Sequence, residues 1–427
     1  LAPKPPHFPA KAKRVIFLHM SGGVSHIESW DPKPKLAADA GKTVSVNEFQ
    51  GRKGDFKMYL REPRWEFSPH GKSGIPVSAL FPHLAECVDD LCVIRSMTSN
   101  HTNHYEATLG IHTGSFTFAR PSNGSWLSYG LGSENQDLPA YVVLTSFGSG
   151  RPDDQPLYDR LWGSGFLPSV HQGVKFRNKG DAVLYLSNPP GVDPAARRGT
   201  LDRLSALNKQ HLQQVGDPEI QTRIAQYEMA FRMQASAPEL TDISKEPQHI
   251  LEMYGAGPGK SAFANSCLMA RRLVERGVRF VQLYTGNQTW DHHGSIRTGL
   301  PAACKYVDKG SAGLVTDLKA RGLLDSTVVH WGGEMGRLPV IQNDVGRDKV
   351  GRDHNTYGFS MWVAGGGFKG GFTYGETDEF GHHAVKDIVN HYDYHATLLH
   401  LFGLDYKRVA FKRNGQEMSL VDGQAAR

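Results

Sequence analysis

The sequence predicts an α/β protein built on a mainly parallel sheet covered by helices on both faces, and three stretches carry that expectation. RVIFLHM, Arg14–Met20, is a short apolar run rich in β-branched and aromatic residues that ends in the turn signal SGG, the grammar of a buried strand delivering a loop. SAFANSCLMARRLVERG reads as a helix stopped at Gly277, and the strand that follows, Val278–Tyr284, carries the chain to Asp291. LVTDLKARGLLDSTVVHWGGEMGR repeats the order: Gly322 ends a helix, a strand spans Thr327–Trp331, and a Gly-rich loop holds Glu334. Continuous apolar strands with polar residues at their ends suit a sheet buried on both faces. Ligands of such sheets bind beyond the carboxyl ends of the strands.

The remaining elements follow in order. Between 115 and 260 the text becomes rich in Gly, Pro, Ser and Asn, as in RPSNGSWLSYGLGSENQDLP and GSGRPDDQPLYDRLWGSGFLP, which read as long loops. DPEIQTRIAQYEMAFRMQ reads as an amphipathic helix after Asp217. Long loops in a compact domain are usually functional, so the expected organisation is one domain over 1–427 with a loop-rich and helical insertion at 115–260 shaping the mouth of a site. FSMWVAGGG reads as another core strand, and AGGGFKGG as a strand-to-strand turn, since it lacks the G-K-[ST] ending of a phosphate loop. DYHATLLHLFGL is a helix by its apolar spacing, capped near Asp393.

Composition narrows the function classes. With 427 residues and 39% hydrophobic content the chain can bury a large core. Its net charge of +5 is spread over scattered Lys and Arg, so there is no basic stripe for nucleic acid, although an anionic substrate is favoured. No apolar run approaches the roughly 18 residues of a membrane span. The Pro-rich opening LAPKPPHFPAKAKR, without Met, reads as the start of a chain trimmed by design or by signal removal. Cys87, Cys92, Cys267 and Cys304 show no C-x-x-C spacing and read as structural thiols. Nothing in the sequence sets an oligomeric state.

Polar residues gather in five loops: Ser21, His26 and Asp31; His101, Asn103, His104 and Glu106; Asp291, His292 and His293; Glu334 and Arg337; Arg352, Asp353 and His354. Imidazole with carboxylate suits zinc, manganese or iron, whereas carboxylate and carbonyl alone suit magnesium or calcium. A single Asp-His pair more often satisfies a turn. Several at strand ends point to one site. GGVSH lacks the G-x-G-x-x-G of a dinucleotide fingerprint, and the absence of a G-x-S-x-G elbow argues against a serine-triad hydrolase.

KRVIFLHMSGGVSHIESWDPKPKL, NHYEATLGIHTG, VRFVQLYTGNQTWDHHG, VVHWGGEMGR, GRDHN and GETDEFG together resemble the DUF1501 family, sulfatase-like proteins abundant in planctomycete bacteria, over nearly the whole chain. The resemblance implies the alkaline phosphatase-like sandwich and export after removal of a signal peptide. It implies Asp291, His293, Glu334 and His354 as metal ligands, with His26 or Asp31 replacing the acids that usually end the first strand. It leaves Arg337 and Arg352 to clamp an anionic oxygen. His104 falls in the nucleophile register, and no Cys-x-Pro-x-Arg or Ser-x-Pro-x-Arg is present, so formylglycine chemistry is excluded. His104 can then be a ligand beside a metal-activated water, which ranks first, or an acid-base group, or a covalent nucleophile; a register shift would offer Thr102 instead. Asn103, Tyr105, Trp126 and Trp290 are the expected substrate contacts, the aromatics stacking on a sugar unless they pack in the core. The expected function is hydrolysis of a sulfate or phosphate ester on a small molecule or glycan, with one or two divalent ions, zinc or manganese ahead of calcium. The alternatives are a metal-dependent enzyme cleaving a non-ester glycan bond and a silent relative that binds an anionic glycan.

Overall fold

Strand β1 (Arg14–His19) is apolar on both sides because it lies at the centre of a sheet covered on both faces: Ile16 and Leu18 enter one core cluster, Val15 and Phe17 the other. The computed structural model describes residues 1–118, 120–146, 159–177, 183, 186–342 and 349–422. Among them, nine strands share the central sheet. After β1 come β2 (Leu91–Thr98), β3 (Tyr141–Thr145), β4 (Val174–Phe176), β5 (Phe280–Tyr284), β6 (Thr327–Gly332), β7 (Phe359–Ala364), β8 (Phe372–Tyr374) and β9 (Val389–Asn390). The order is β8-β2-β7-β6-β1-β5-β3-β4, with β9 also on β2. Every pairing is parallel except those of β7, which runs against β6 and β2. The mainly parallel α/β sheet expected from the sequence is thus present.

Helices α1 (His104–Thr113), α2 (Asn123–Leu131), α3 (Pro194–Val215), α4 (Pro218–Thr241), α5 (Ala262–Glu275), α6 (Ile296–Ala320) and α7 (His391–Leu401) carry the covering layers. Helices α5 and α6 pack Phe263, Leu268, Leu300 and Leu314 on one face, while α1, α2 and α7 set Leu109, Trp126 and Leu398 on the other. Asp217 caps α4 as read from the sequence. Helix α7 begins three residues earlier than a cap at Asp393 suggests: Asn390 is the cap, and Asp393 closes a capping box from inside the first turn.

The 115–260 range is not all loop and helix. YVVLT inside that range is β3, fully buried and paired in register with β5, and β4 extends the same edge. This part of the range is therefore built into the sheet, while α4 places Met233 and Leu240 in the core and α3 buries only Leu201. Much of the loop GSGRPDDQPLYDRLWGSGFLP falls outside the described residues. All four cysteines are buried and unpaired.

A candidate metal centre at the carboxyl ends of the strands

Parallel strands deliver their following loops to one edge, so the segments after β1, β5 and β6 meet there. Ser21–Gly23 follows β1, the stretch to Asp291 follows β5, and Gly333–Arg337 follows β6. The close approach of the first two loops depends on Gly22: its φ is +116°, and a Cβ there would fall 2.7 Å from the backbone nitrogen of Asp291. Helix α1, capped by Asn103 at Tyr105 N–H, brings His104 to the same edge.

His104, Asp291, His293 and His354 converge, with one ligand atom of each lying within 4.8 Å of the others. Around Asp291 Oδ1 stand Nε2 of His293 at 2.9 Å, of His104 at 3.3 Å and of His354 at 3.5 Å. Donors placed tetrahedrally about a cation at zinc-nitrogen distances lie about 3.3 Å apart, and the three distances to Asp291 Oδ1 bracket that value. The tautomers fit as well. His104 Nδ1 donates to Glu334 Oε1 at 2.6 Å, His293 Nδ1 to Gln342 Oε1 at 2.5 Å, and His354 Nδ1 to the Thr102 carbonyl at 2.6 Å. Each imidazole is therefore fixed by an outer partner with its Nε2 turned inward, a lone pair when the ring is neutral and a donor toward Asp291 when it is protonated. Nε2 of His104 and of His354 are buried and make no hydrogen bond, which is costly unless another group is met there.

The electrostatics show how strongly the carboxylates attract positive charge, whether a proton or a cation. Burial works against ionisation of Asp291, but the Arg337 guanidinium and the neighbouring imidazoles outweigh it and hold the carboxyl well below the usual range. Burial likewise disfavours a charged His104, yet its contacts to Asp291 and Glu334 reverse this and lift it to about 9. His354 is pushed down to about 4 by burial, against the pull of Asp291. A pair of carboxylates draws positive charge into the cluster.

Several expected roles change. Glu334 stands behind His104, accepting also from Gly22 N–H at 2.9 Å, and belongs to the outer layer rather than to the converging set. His26 is buried apart from the cluster, its Nε2 bonded to the Gly381 carbonyl at 2.7 Å. Arg337 is 0% exposed and cannot reach a substrate oxygen: its nitrogens donate to the carbonyls of Gly22, Gly23 and Arg352 and to Asp291 Oδ1. Arg352 pairs with buried Glu28 at 2.8 Å and caps the carbonyls of Leu338 and Arg61. Trp126 and Trp290 are both 0% exposed and pack in the core, Trp290 edge-on to Trp331, so neither stacks on a ligand. Tyr105 is half-buried beside His104, its hydroxyl accepting from Arg160 at 3.2 Å, and Asn103 is exposed as the helix cap. The sequence offers Thr102 for its hydroxyl, whereas the structure uses its carbonyl, and Gln342 sits in no motif; only the three-dimensional placement of the rings they bind reveals these roles.

An α/β protein with three imidazoles and a carboxylate gathered at the carboxyl edge of its sheet is a candidate metalloprotein. The sequence model of the DUF1501 family, described as a protein of unknown function, matches residues 12–427, and the chain belongs to that family. No curated protein matches it in sequence. Its structure is similar to that of a protein in the alkaline phosphatase superfamily from Vibrio parahaemolyticus, with 12% identity, a TM-score of 0.41, and 95% of this chain and 70% of that one covered. It is also similar to the lipoteichoic acid synthase LtaP from Listeria monocytogenes, with 12% identity, TM-score 0.40, and 98% and 78% covered. A third similar structure is alkaline phosphatase from the Antarctic bacterium TAB5, with 11% identity, TM-score 0.35, and 87% and 97% covered.

Proposed function

We propose that the protein is a metal-dependent hydrolase of an anionic ester, a sulfate or a phosphate, with zinc or manganese held by His104, Asp291, His293 and His354. The observation that carries this reading is the convergence of three outwardly anchored imidazoles on Asp291 Oδ1. Three nitrogens and one oxygen suit zinc or manganese better than calcium, which prefers six or more oxygens. A bound divalent cation would polarise an ester oxygen and lower the pKa of a coordinated water to about 7. The protein's own groups supply the rest. Arg337 pins Asp291 in place, Glu334 keeps the His104 proton on Nδ1, and Thr102 and Gln342 do the same for the other two rings. His104 takes the ligand role, with no hydroxyl nucleophile required.

One observation favours a second reading. Both arginines expected to clamp the anion are committed to protein carbonyls and carboxylates, which leaves cleavage of an uncharged glycan bond open to the same centre. Elemental analysis of protein purified without chelator, followed by assays on pooled sulfated, phosphorylated and neutral glycans, separates the two. Hydrolysis of a charged ester that is lost in Asp291→Asn and His354→Ala supports the hydrolase. Failure to find or restore any divalent metal would overturn both enzyme readings in favour of a binding protein.

A further inference from the structure

A second chamber opens on the same edge of the sheet, at the carboxyl ends of β3 and β4. It has a volume of about 720 Å³, within the range of small-molecule sites and far more than an inorganic oxyanion fills. Leu144, Phe176 and Met269 give it an apolar wall, and Arg177 and Lys260 stand at its rim. Both cations are exposed, and neither makes an ion pair or hydrogen bond with a described residue. Lys260 is held in place indirectly. The Asn265 side chain accepts from Gly257 N–H at 2.8 Å and donates to the Gly257 carbonyl at 3.1 Å, and Lys260 N–H closes the turn on that carbonyl. Deeper in the wall, Ser266 is only 2% exposed, its hydroxyl paired with that of Ser146 at the long distance of 3.4 Å.

We infer that this chamber is a binding site for an organic sulfate or phosphate ester. Two cations with no counter-charge among the described residues, lining one chamber, suit an oxyanion, which a guanidinium grips in fork geometry and an ammonium as a point charge. The apolar wall calls for an organic body attached to it, because a bare inorganic ion would leave Phe176 and Met269 facing water. The site is independent of the metal centre: β3, β4 and the turn before α5 carry none of the four converging residues.

Calorimetric titration of the metal-stripped full chain tests this, with glucose 6-sulfate, glucose 6-phosphate, glucose and inorganic sulfate as the probes. Saturable one-site binding of at least one ester is expected, weakened about tenfold or more in the double variant R177Q/K260Q and unchanged in His354→Ala. The two esters distinguish sulfate from phosphate as the preferred group. The inference is overturned if neither ester saturates, if glucose or inorganic sulfate binds as tightly as the better ester, or if the double variant, folded by near-ultraviolet circular dichroism, binds within about twofold of the parent. Because no metal is present, a negative result here leaves the hydrolase reading to its own test.

Discussion

At the scale of single residues, the site is decided by which nitrogen of each histidine is occupied. An imidazole whose Nδ1–H already has an acceptor can offer only Nε2, and three such rings around one carboxylate make a preorganised donor set. Glu334→Gln keeps the shape but replaces a carboxylate with an amide at His104 Nδ1; zinc affinity, read by competition with a chromophoric chelator, is expected to fall about 10- to 100-fold. Unchanged affinity would show that Glu334 has no part in orienting the ring. Arg337→Met removes the buried counter-charge of Asp291. In metal-free protein this is expected to cost about 3–5 kcal/mol in urea unfolding, as for other broken buried pairs, and added zinc should recover part of the loss by supplying the missing charge. The sequence disclosed the converging four, because DHHG and RDHN place ligand-type side chains after strands and NHYEATLGIHTG places His104 among ligand-type neighbours, although it proves to begin a helix. The arginines misled because a guanidinium serves anions and backbone carbonyls equally well, and which of these it meets is settled by loops hundreds of residues apart in sequence.

At the scale of elements, legibility followed burial. RVIFLHM, TVVHW and FSMWV are continuous apolar runs between turn signals, and each is a central strand. YVVLT has the same character but is short and surrounded by Gly, Pro and Asn, so composition over a wide window concealed it. Helix α3 was hidden for the opposite reason: Leu201 alone is buried along it, which leaves almost no apolar period to read. The layer joining α1 and α7 to the sheet contains a further unannounced feature, a set of buried imidazoles. His112 hydrogen-bonds the Thr108 carbonyl, His395 the Ile111 carbonyl, and His330 the Tyr394 hydroxyl while stacking on Phe17. Burial lowers all three, His112 to about 3 and His395 to about 4. Above pH of about 6.5 these rings are neutral in both folded and unfolded chains, and their contribution is intact. As pH falls below that value the unfolded chain takes up protons that the folded chain refuses, so stability declines through the window from about 6.5 to 4. For His395 alone the loss approaches roughly 3 kcal/mol at the acid end. Urea midpoints measured from pH 7.5 to 4.5 should fall steadily, and a flat profile would mean that these rings are hydrated or protonated in the folded state.

At the scale of the whole molecule, the four converging residues tie together segments that are remote along the chain and belong to different layers. His104 begins a helix on one face, Asp291 and His293 follow a central strand, and His354 lies beyond the loop after β6, paired through Asn355 and His354 with Gly336 and Arg337. A cation held among them is a cross-link that exists only in the folded state, because in the unfolded chain these side chains seldom meet. Ligand linkage then fixes the size of the effect: a metal at about 100 times its dissociation constant adds about 2.7 kcal/mol, and each further tenfold in free metal adds about 1.4. Chelation should therefore lower the thermal midpoint of the parent, and graded zinc should raise it again in step with the logarithm of its concentration. His354→Ala removes one donor without opening the central core, since the ring is only partly buried at the edge of the sheet. Its midpoint should sit near that of the chelated parent and respond weakly to zinc. Scanning calorimetry of both proteins, with and without EDTA, decides the matter: a parent indifferent to chelator and zinc would deny the cation its place, whereas an equal response in both proteins would put the metal at some other set of ligands.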